Sequence, residues 1–442
     1  MKLHQGEWYV KMKNYIAIIS DDITGANDSG VQLLESGINT TVLFDIPNKK
    51  AKNKNEHIVI NTNSRMLTLT KAKRVTKQAG KYLLASGYEI IYKKMDSTLR
   101  GYPGTELKVL QQLFNADFVF IAPAYPTMGR TTMNGIHYVN GKRIAKTEFS
   151  KDPQHPITES SIVKMIKTEI DEDVGLLTKK DFQDRTTFKS KITLFKRNKI
   201  KYIVCDSEKQ KDLQKLAHYI SSLHAKVIWA GSAGLAQELP NVYKSCKKRK
   251  GVLQITANRT LTVCGSLSDI SKKQVKYAIQ QPNIIGIQLD TARIFNNKWQ
   301  DYKHQILNEV LKHVSKGNDT VLYLPSDQQI RDKVEQIQRK LNLSSYETGK
   351  IISRALGNIV TSLVSESNSI NGFVLTGGDT AKDIFHSLNG ESLQLIREIE
   401  PGIPLGILNC NNTKYPVVTK AGAFGNEKSI FNAIRALKGA VQ

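Results

Sequence analysis

Asp21 and Asp22 stand side by side at the end of an apolar run, in the stretch SDDITGAND (residues 20–28). Two carboxylates this close repel unless a cation, a metal or helix-end N–H groups offset the repulsion. Such a pair can take hydrogens from substrate hydroxyls, act as a base or help to hold a metal. Capping of the next helix would explain one aspartate; two of them before Thr24-Gly25 point to a site. A second polar stretch, KKMDSTLRG (residues 93–101), crowds Lys93, Lys94, Asp96, Ser97, Thr98 and Arg100 together. Lysine and arginine there can clamp a carboxylate or a phosphate, arginine with two parallel hydrogen bonds. Arg65 in NTNSR, and Arg130, Thr131 and Thr132 in APAYPTMGRTTMNG, offer further donors. Taken singly, Arg65 is more commonly an ordinary surface arginine, and the Arg130 stretch fits a structural loop equally well.

The second half of the chain carries a different pattern. FVLTGGDTAKDIF places Gly377, Gly378, Asp379 and Thr380 between a strand-like and a helix-like run. Glycines permit close backbone approach, and a helix N-terminus favours phosphate. LTVCGSLSD contributes Ser266 and Ser268 at a similar junction, and VVTKAGAFG contributes Lys420 and Gly422. Three such loops in one domain suggest a nucleotide-phosphate site. Familiar signatures are missing: no G-x-x-x-x-G-K-[ST], no helix-opening G-x-G-x-x-G, no H-E-x-x-H and no G-x-S-x-G occurs.

The elements that must position these loops alternate between strand and helix. YIAIIS, TTVLF, HIVINT, EIIYKKM and DFVFIAPA read as strands, with helical periodicity between several of them. KYIVCDS and KVIWAG continue the pattern, and LTVCGS, NIIGIQLD, TVLYLPS and GFVLTGGD form a second set. Alternation of this kind predicts an α/β fold with mainly parallel sheets flanked by helices. Ligands then bind beyond the carboxyl ends of the strands, where the polar stretches fall. Helices are expected over residues 104–114 and 345–365, and Asn140-Gly141 predicts a hairpin. The polar, basic segment around residues 244–251 marks a boundary. The expected organisation is a flexible leader (1–14), a first domain (15–245) and a second (252–442), with a cleft between the domains.

The chain has 442 residues and a formal net charge of +24. Lysine supplies 49 of the 64 basic residues and is dispersed, and the densest cluster, KSCKKRKG, has no aromatic residue for base stacking. A lysine-rich surface that draws in small anions fits better than a nucleic-acid binder. No apolar run reaches the roughly 18 residues of a membrane span, and the first residues lack the apolar core of a signal peptide. Four scattered cysteines, without C-x-x-C spacing, fit a reducing cytoplasm and no zinc site. No partner macromolecule is expected, though a homodimer is plausible.

Taken in order, SDDITGAND, KMDSTLRG, PAYPTMGRTTMNGIHYVNG, FSKDPQHPI, GSAGLA, TGGDTA and KAGAFG resemble the four-carbon acid sugar kinases over nearly the whole chain. Ser20 stands where that family usually has Ala, and Ala421 and Ala423 flank Gly422. The resemblance implies an N-terminal substrate domain and a C-terminal nucleotide domain. It implies ATP-dependent phosphorylation of the terminal (C4) hydroxyl of D-threonate, D-erythronate or 3-oxo-tetronate. By motif, it puts acid contacts on Asp22, Arg65, Lys94, Met95, Asp96 and Ser97, with Arg100 close by. It puts ATP contacts on Ser266, Gly377, Gly378, Asp379, Thr380 and Gly422. Asp22 is then the first candidate for the catalytic base and Asp96 the second, and Asp379 is a candidate ligand of the Mg²⁺ that would sit on the phosphates. Two rivals remain at this point. An aspartate-nucleophile phosphatase of the haloacid dehalogenase type would need D-x-D, whereas these aspartates adjoin. A non-catalytic nucleotide- or nucleic-acid-binding protein would rest on charge alone.

Overall fold

The computed structural model describes residues 15–47, 55–152, 154–243, 256–325, 328–411 and 413–439. The expected leader, the basic boundary segment and Cys246 lie outside them.

The apolar runs of the first half form β1 (Ile16–Ser20), β2 (Thr40–Leu43), β3 (His57–Asn61), β4 (Ile90–Lys94) and β5 (Phe118–Ala122). A small antiparallel sheet follows, β6 (Arg130–Met133), β7 (Ile136–Val139) and β8 (Lys142–Arg143), and then β9 (Val174–Leu177), β10 (Tyr202–Cys205) and β11 (Val227–Gly231). The second half supplies β12 (Arg259–Cys264), β13 (Ile284–Gln288), β14 (Asp319–Tyr323), β15 (Ile370–Thr376), β16 (Gly390–Glu400), β17 (Ile403–Cys410) and β18 (Thr413–Lys420). The hairpin turn lies at Asn140 and Gly141, both at positive φ (49° and 77°), as Asn-Gly turns require. The expected helices appear as Pro103–Phe114 and Ser345–Glu366.

The two strand sets join edge to edge. One 15-stranded sheet runs β13-β14-β12-β15-β18-β17-β16-β2-β3-β1-β4-β11-β5-β10-β9. Its pairs are parallel except β18–β17, β17–β16 and β16–β2. The ribbon β16–β17, turned at Gly402 (φ 75°), therefore ties the second half to β2 of the first. Period-two alternation does not reveal β16, because Leu395 and the adjacent Ile396 are both buried. On one face of the sheet a single apolar core contains Ile16, Trp229, Phe385 and Leu393, residues of both halves. On the other face two separate cores lie under the helices of each half.

The helix α1 (Ile23–Gln32) follows β1 and packs on the shared-core face, whereas the helix Pro103–Phe114 after β4 packs on the opposite face. The β1/β4 junction is thus a topological switch point, where a crevice opens beyond the strand ends. The β12/β15 junction is a second one: helix Asp269–Ile279 and helix Gly378–Ser387 take opposite faces.

Candidate active site

Register along the parallel strands brings the polar stretches together. Ser20 is level with Asn61 on one side and Lys94 on the other, and Lys94 is level with Gly231. The chain segments after β1, β3, β4 and β11 therefore emerge at one edge. Asp22 caps α1, its Oδ1 accepting from the Gly25 N–H at 2.9 Å, so the capping role is real. It also lines a cavity of about 280 Å³ with Thr24, Asp28, Arg65, Lys94, Asp96, Ser97, Arg100, Tyr125 and Arg130 among its walls. Gly25 is needed at this turn: a Cβ there would sit 2.6 Å from Asp22 Oδ1 and 2.7 Å from Lys94 Nζ.

Arg65 is the hub of the carboxylates. Its Nε donates to Asp21 Oδ2 at 2.9 Å, its terminal nitrogens reach Asp22 at 3.1 and 3.2 Å, and Asp96 Oδ1 lies at 3.9 Å. One guanidinium thus offsets the repulsion that the adjacent aspartates would otherwise suffer. Burial pushes the Asp21 carboxyl up, but Arg65, Lys93 and Lys94 outweigh it and hold it below its usual range. For Asp96 the same contest is decided by Arg65 and Arg100, and its carboxyl is held well below the ordinary value. Asp96 Oδ2 accepts from Thr98 Oγ1 at 2.5 Å and Arg100 Nε at 2.6 Å. Arg100 also reaches Asp152 at 3.4 Å, and His155 donates to the Arg65 carbonyl at 2.6 Å. Residues 152 and 155 thereby tether both arginines from outside.

The two lysines of β4 part company because successive side chains face opposite sides of a sheet. Lys94 turns to the cavity, its Nζ donating to the Met95 carbonyl at 2.9 Å. Lys93 forms a buried ion pair with Glu106 at 3.0 Å, away from the site. Met95, expected among the acid contacts, has its side chain in the core, so only its backbone faces the site. Ser97 lines the cavity, and its carbonyl accepts from His137 Nε2 at 2.8 Å. Burial pushes His137 down to about 4, so it is neutral at pH 7 and its Nδ1 accepts from Thr132. Of the loop donors, Arg130 reaches the cavity, while Thr132 is buried beneath it.

The second-half loops gather in the same way, because β12, β15 and β18 are neighbours. Ser268 and Ser271 hydroxyls each donate to the Gly422 carbonyl at 2.8 Å, and Ser266 packs against Gly422. Lys420 Nζ reaches the same carbonyl at 3.1 Å, and burial pushes its amine down to about 8. Gly377, at φ 99°, opens the helix Gly378–Ser387 without any side-chain cap, which leaves its first N–H groups for an anion. Thr380 is buried against Gly265, so its hydroxyl turns inward.

Asp379 lines a second cavity, of about 750 Å³, with Gly378, Lys382, residues 344–346, Asp22, Thr24, Arg65 and Arg100. Asp22, Thr24, Arg65 and Arg100 belong to both cavities, so the two groups of loops adjoin at the start of α1. Among the described residues no three His, Cys, Asp or Glu side chains gather as a metal nest. Asp379 on the cavity wall does suit a Mg²⁺ that takes one carboxylate and completes its shell with phosphate and water.

Several lining residues escaped the sequence reading: Asp28, Tyr125, Phe149, Ser232 and Lys382. Only Asp28 carried a usable signal, since it closes the SDDITGAND stretch that holds Asp21 and Asp22.

A family model described as a sugar-binding N-terminal domain matches residues 16–239, and one described as a nucleotide-binding C-terminal domain matches residues 261–430. The chain is 29% identical over 420 residues to a D-threonate kinase of Salmonella typhimurium, covering 94% of this chain and 97% of that one. It is 25% identical over 420 residues to a 3-oxo-tetronate kinase of Actinobacillus succinogenes (93% and 97% covered) and 24% identical over 423 residues to a D-erythronate kinase of Heliobacterium modesticaldum (93% and 94%). A solved protein of Haemophilus influenzae shares the fold with a TM-score of 0.77 at 22% identity, covering 95% of this chain and 100% of that one. No helix among the described residues is long and apolar enough to cross a membrane.

Proposed function

The chain belongs to the four-carbon acid sugar kinase family, and from that premise we propose that it transfers the γ-phosphoryl group of ATP to the C4 hydroxyl of a four-carbon sugar acid. One observation carries the reading. A cavity walled by Arg65, Lys94, Arg100, Arg130 and three carboxylates shares Asp22 and Thr24 with a cavity reached by an uncapped helix N-terminus. The first chemistry suits a polyhydroxylated anion, and the second suits phosphate.

Lys94 and Arg100, with Arg130 beside them, hold the acid's carboxylate. Asp22, paired with Arg65, and Asp96, held ionised by Arg65 and Arg100, accept hydrogens from the substrate hydroxyls and fix its orientation. Arg65 thus serves the acid through its ion pairs with these carboxylates as well as by contact. Ser266, Gly377, Gly378, Asp379, Thr380 and Gly422 form the nucleotide-phosphate cradle, with backbone N–H groups as the main donors. Asp379 would hold Mg²⁺, which supplies charge neutralisation on the phosphates when bound. Phosphoryl transfer depends mostly on such positioning and neutralisation. The acid and the nucleotide meet across the cleft between residues 15–245 and residues 252–442.

The test is a coupled assay of ADP release with D-threonate, D-erythronate and 3-oxo-tetronates, with phosphorus NMR of the product. A C4 phosphate ester is expected from at least one of them. ATP hydrolysis without ester, or no turnover with any four-carbon acid, would refute the proposal.

A further inference from the structure

Three carboxylates of the site are already committed to cations or amides. Asp21 is 2% exposed and turned to Arg65. Asp22 has Gly25 N–H on Oδ1 and Arg65 on both oxygens. Asp96 takes Thr98 and Arg100 on one oxygen, and its depressed affinity for protons makes it a poor acceptor. One more carboxylate lines the cavity beside Asp22 and Asp96. Asp28 lies on α1 two helical steps of three beyond Asp22, is 8% exposed, and its Oδ1 is buried without any donor.

The helix that carries it also meets the second half, and Glu398 of β16 is among the charges that act on Asp28. Asn27, next in the chain, donates to Thr419 Oγ1 of β18 at 3.0 Å. Ala421 and Phe424, which flank Gly422, wall the same cavity. The cavity that Asp28 lines therefore also reaches the phosphate-cradle loop.

We propose that Asp28 is the general base that takes the C4 hydroxyl proton, a role that rests on the kinase reading above. The hydroxyl oxygen bonds to the γ-phosphorus while the bond from that phosphorus to the β–γ bridging oxygen breaks. ADP departs with that electron pair, and the hydroxyl proton passes to the Asp28 carboxylate. The groups facing Asp28 set its readiness. Burial pushes its carboxyl up to about 7; Lys94 from β4 draws it down, and Glu398 from β16 and Asp22 from the helix's own N-cap push it further up. The phenols of Tyr92 and Tyr125 also lie within its field and are themselves raised, chiefly by burial. A base is most effective when it titrates near the working pH. Asp28 meets that condition, and the lowered carboxyls of Asp21 and Asp96 do not.

The experiment compares wild type, Asp28→Asn, Asp28→Glu and Asp22→Asn in kcat–pH profiles from pH 5.5 to 9, with the acid's binding measured separately by calorimetry. Wild-type kcat is expected to rise with pH along a limb near neutrality. Asp28→Asn is expected to lower kcat on the order of 10²-fold or more, as loss of a general base does, and to remove that limb while acid affinity stays within about threefold. Should Asp28→Asn not fold, Asp28→Glu carries the test through a displaced limb. A wild-type profile without the limb, an unmoved limb in Asp28→Glu, or an Asp28→Asn enzyme with the limb intact would overturn the assignment. Loss of the limb in Asp22→Asn alone would transfer the role to Asp22. Wild type inactive on every four-carbon acid sinks the kinase reading and this inference together. An active wild type matched by an equally active Asp28→Asn sinks only the inference.

Discussion

Replacing Arg65 by methionine keeps most of the side chain's bulk and deletes the cation shared by Asp21, Asp22 and Asp96. Asp21 is 2% exposed and one of its oxygens already lacks a donor, so its charge would be left in the protein interior. Removing one partner of a buried ion pair costs about 3–5 kcal/mol. Lys93 and Lys94 still act on Asp21, which places the expected loss toward the lower end of that range. At roughly 2–4 °C per kcal/mol for a unit of 150–250 residues, the thermal midpoint should fall by about 6–12 °C at pH 8. The pH dependence identifies the cause. In the wild type the folded-state values of Asp21 and Asp96 lie below 3.8, so their contribution is complete above the unfolded value and fades as the pH falls through the folded ones. Without Arg65, burial dominates and Asp21 takes up a proton already under mildly acidic conditions. The gap between variant and wild type should therefore narrow steadily from pH 8 to pH 4.5. Thermal scans at one fixed rate, with matched buffers, measure it directly. Equal gaps at both pH values, or no gap, would show that Arg65 does not hold the carboxylates together. Calorimetry on the same samples should show weaker binding of the acid at pH 8.

Two further expectations follow from particular contacts. Gly378→Val would bring a Cβ within 2.7 Å of Thr24 Oγ1 and displace the first turn of its helix. Losing one charge-assisted hydrogen bond to phosphate, at about 1.5–3 kcal/mol, predicts nucleotide affinity lower by roughly 10–100-fold with acid affinity unchanged; equal losses for both ligands in calorimetry would contradict this. Lys93→Met should destabilise the protein by about 3–5 kcal/mol, because it strands Glu106 in the interior, without altering KM for the acid. The double variant Lys93→Met/Glu106→Leu should recover most of that loss, and a double variant no more stable than the single would count against the buried pair.

The local features were legible in the sequence because short-range forces make them. A buried β-branched run ending in Asp-Asp-x-Thr-Gly becomes a strand, an aspartate cap and a helix. Asn140-Gly141 becomes a hairpin turn, and the uninterrupted helical period of residues 345–365 becomes a helix. Strand–helix alternation predicted a parallel sheet, and parallel strands put Asp22, Arg65, Lys94, Asp96 and Arg100 at one edge. The set of motifs resembling sugar-acid kinases likewise needed only residue types in order.

Other features were settled by groups far apart in the chain. Alternation along β4 says that Lys93 and Lys94 face opposite ways, but only the helix carrying Glu106 shows which of them is spent inside. Arg65 reads as a free clamp until the fold brings it against Asp21 and Asp22, more than forty positions away. Met95 sits in a polar motif, yet the core beneath β4 takes its side chain. The joining of the two sheets through β2 and β16 has no short-range signature, because ladder bonds between backbones carry no sequence code. Asp28 is the sharpest instance: the sequence places it at the end of SDDITGAND but says nothing of its charge state. Its raised proton affinity comes from desolvation in a core shared by both halves and from Glu398, which lies 370 positions further along the chain. Secondary structure follows from neighbours in sequence, whereas charge state follows from neighbours in space.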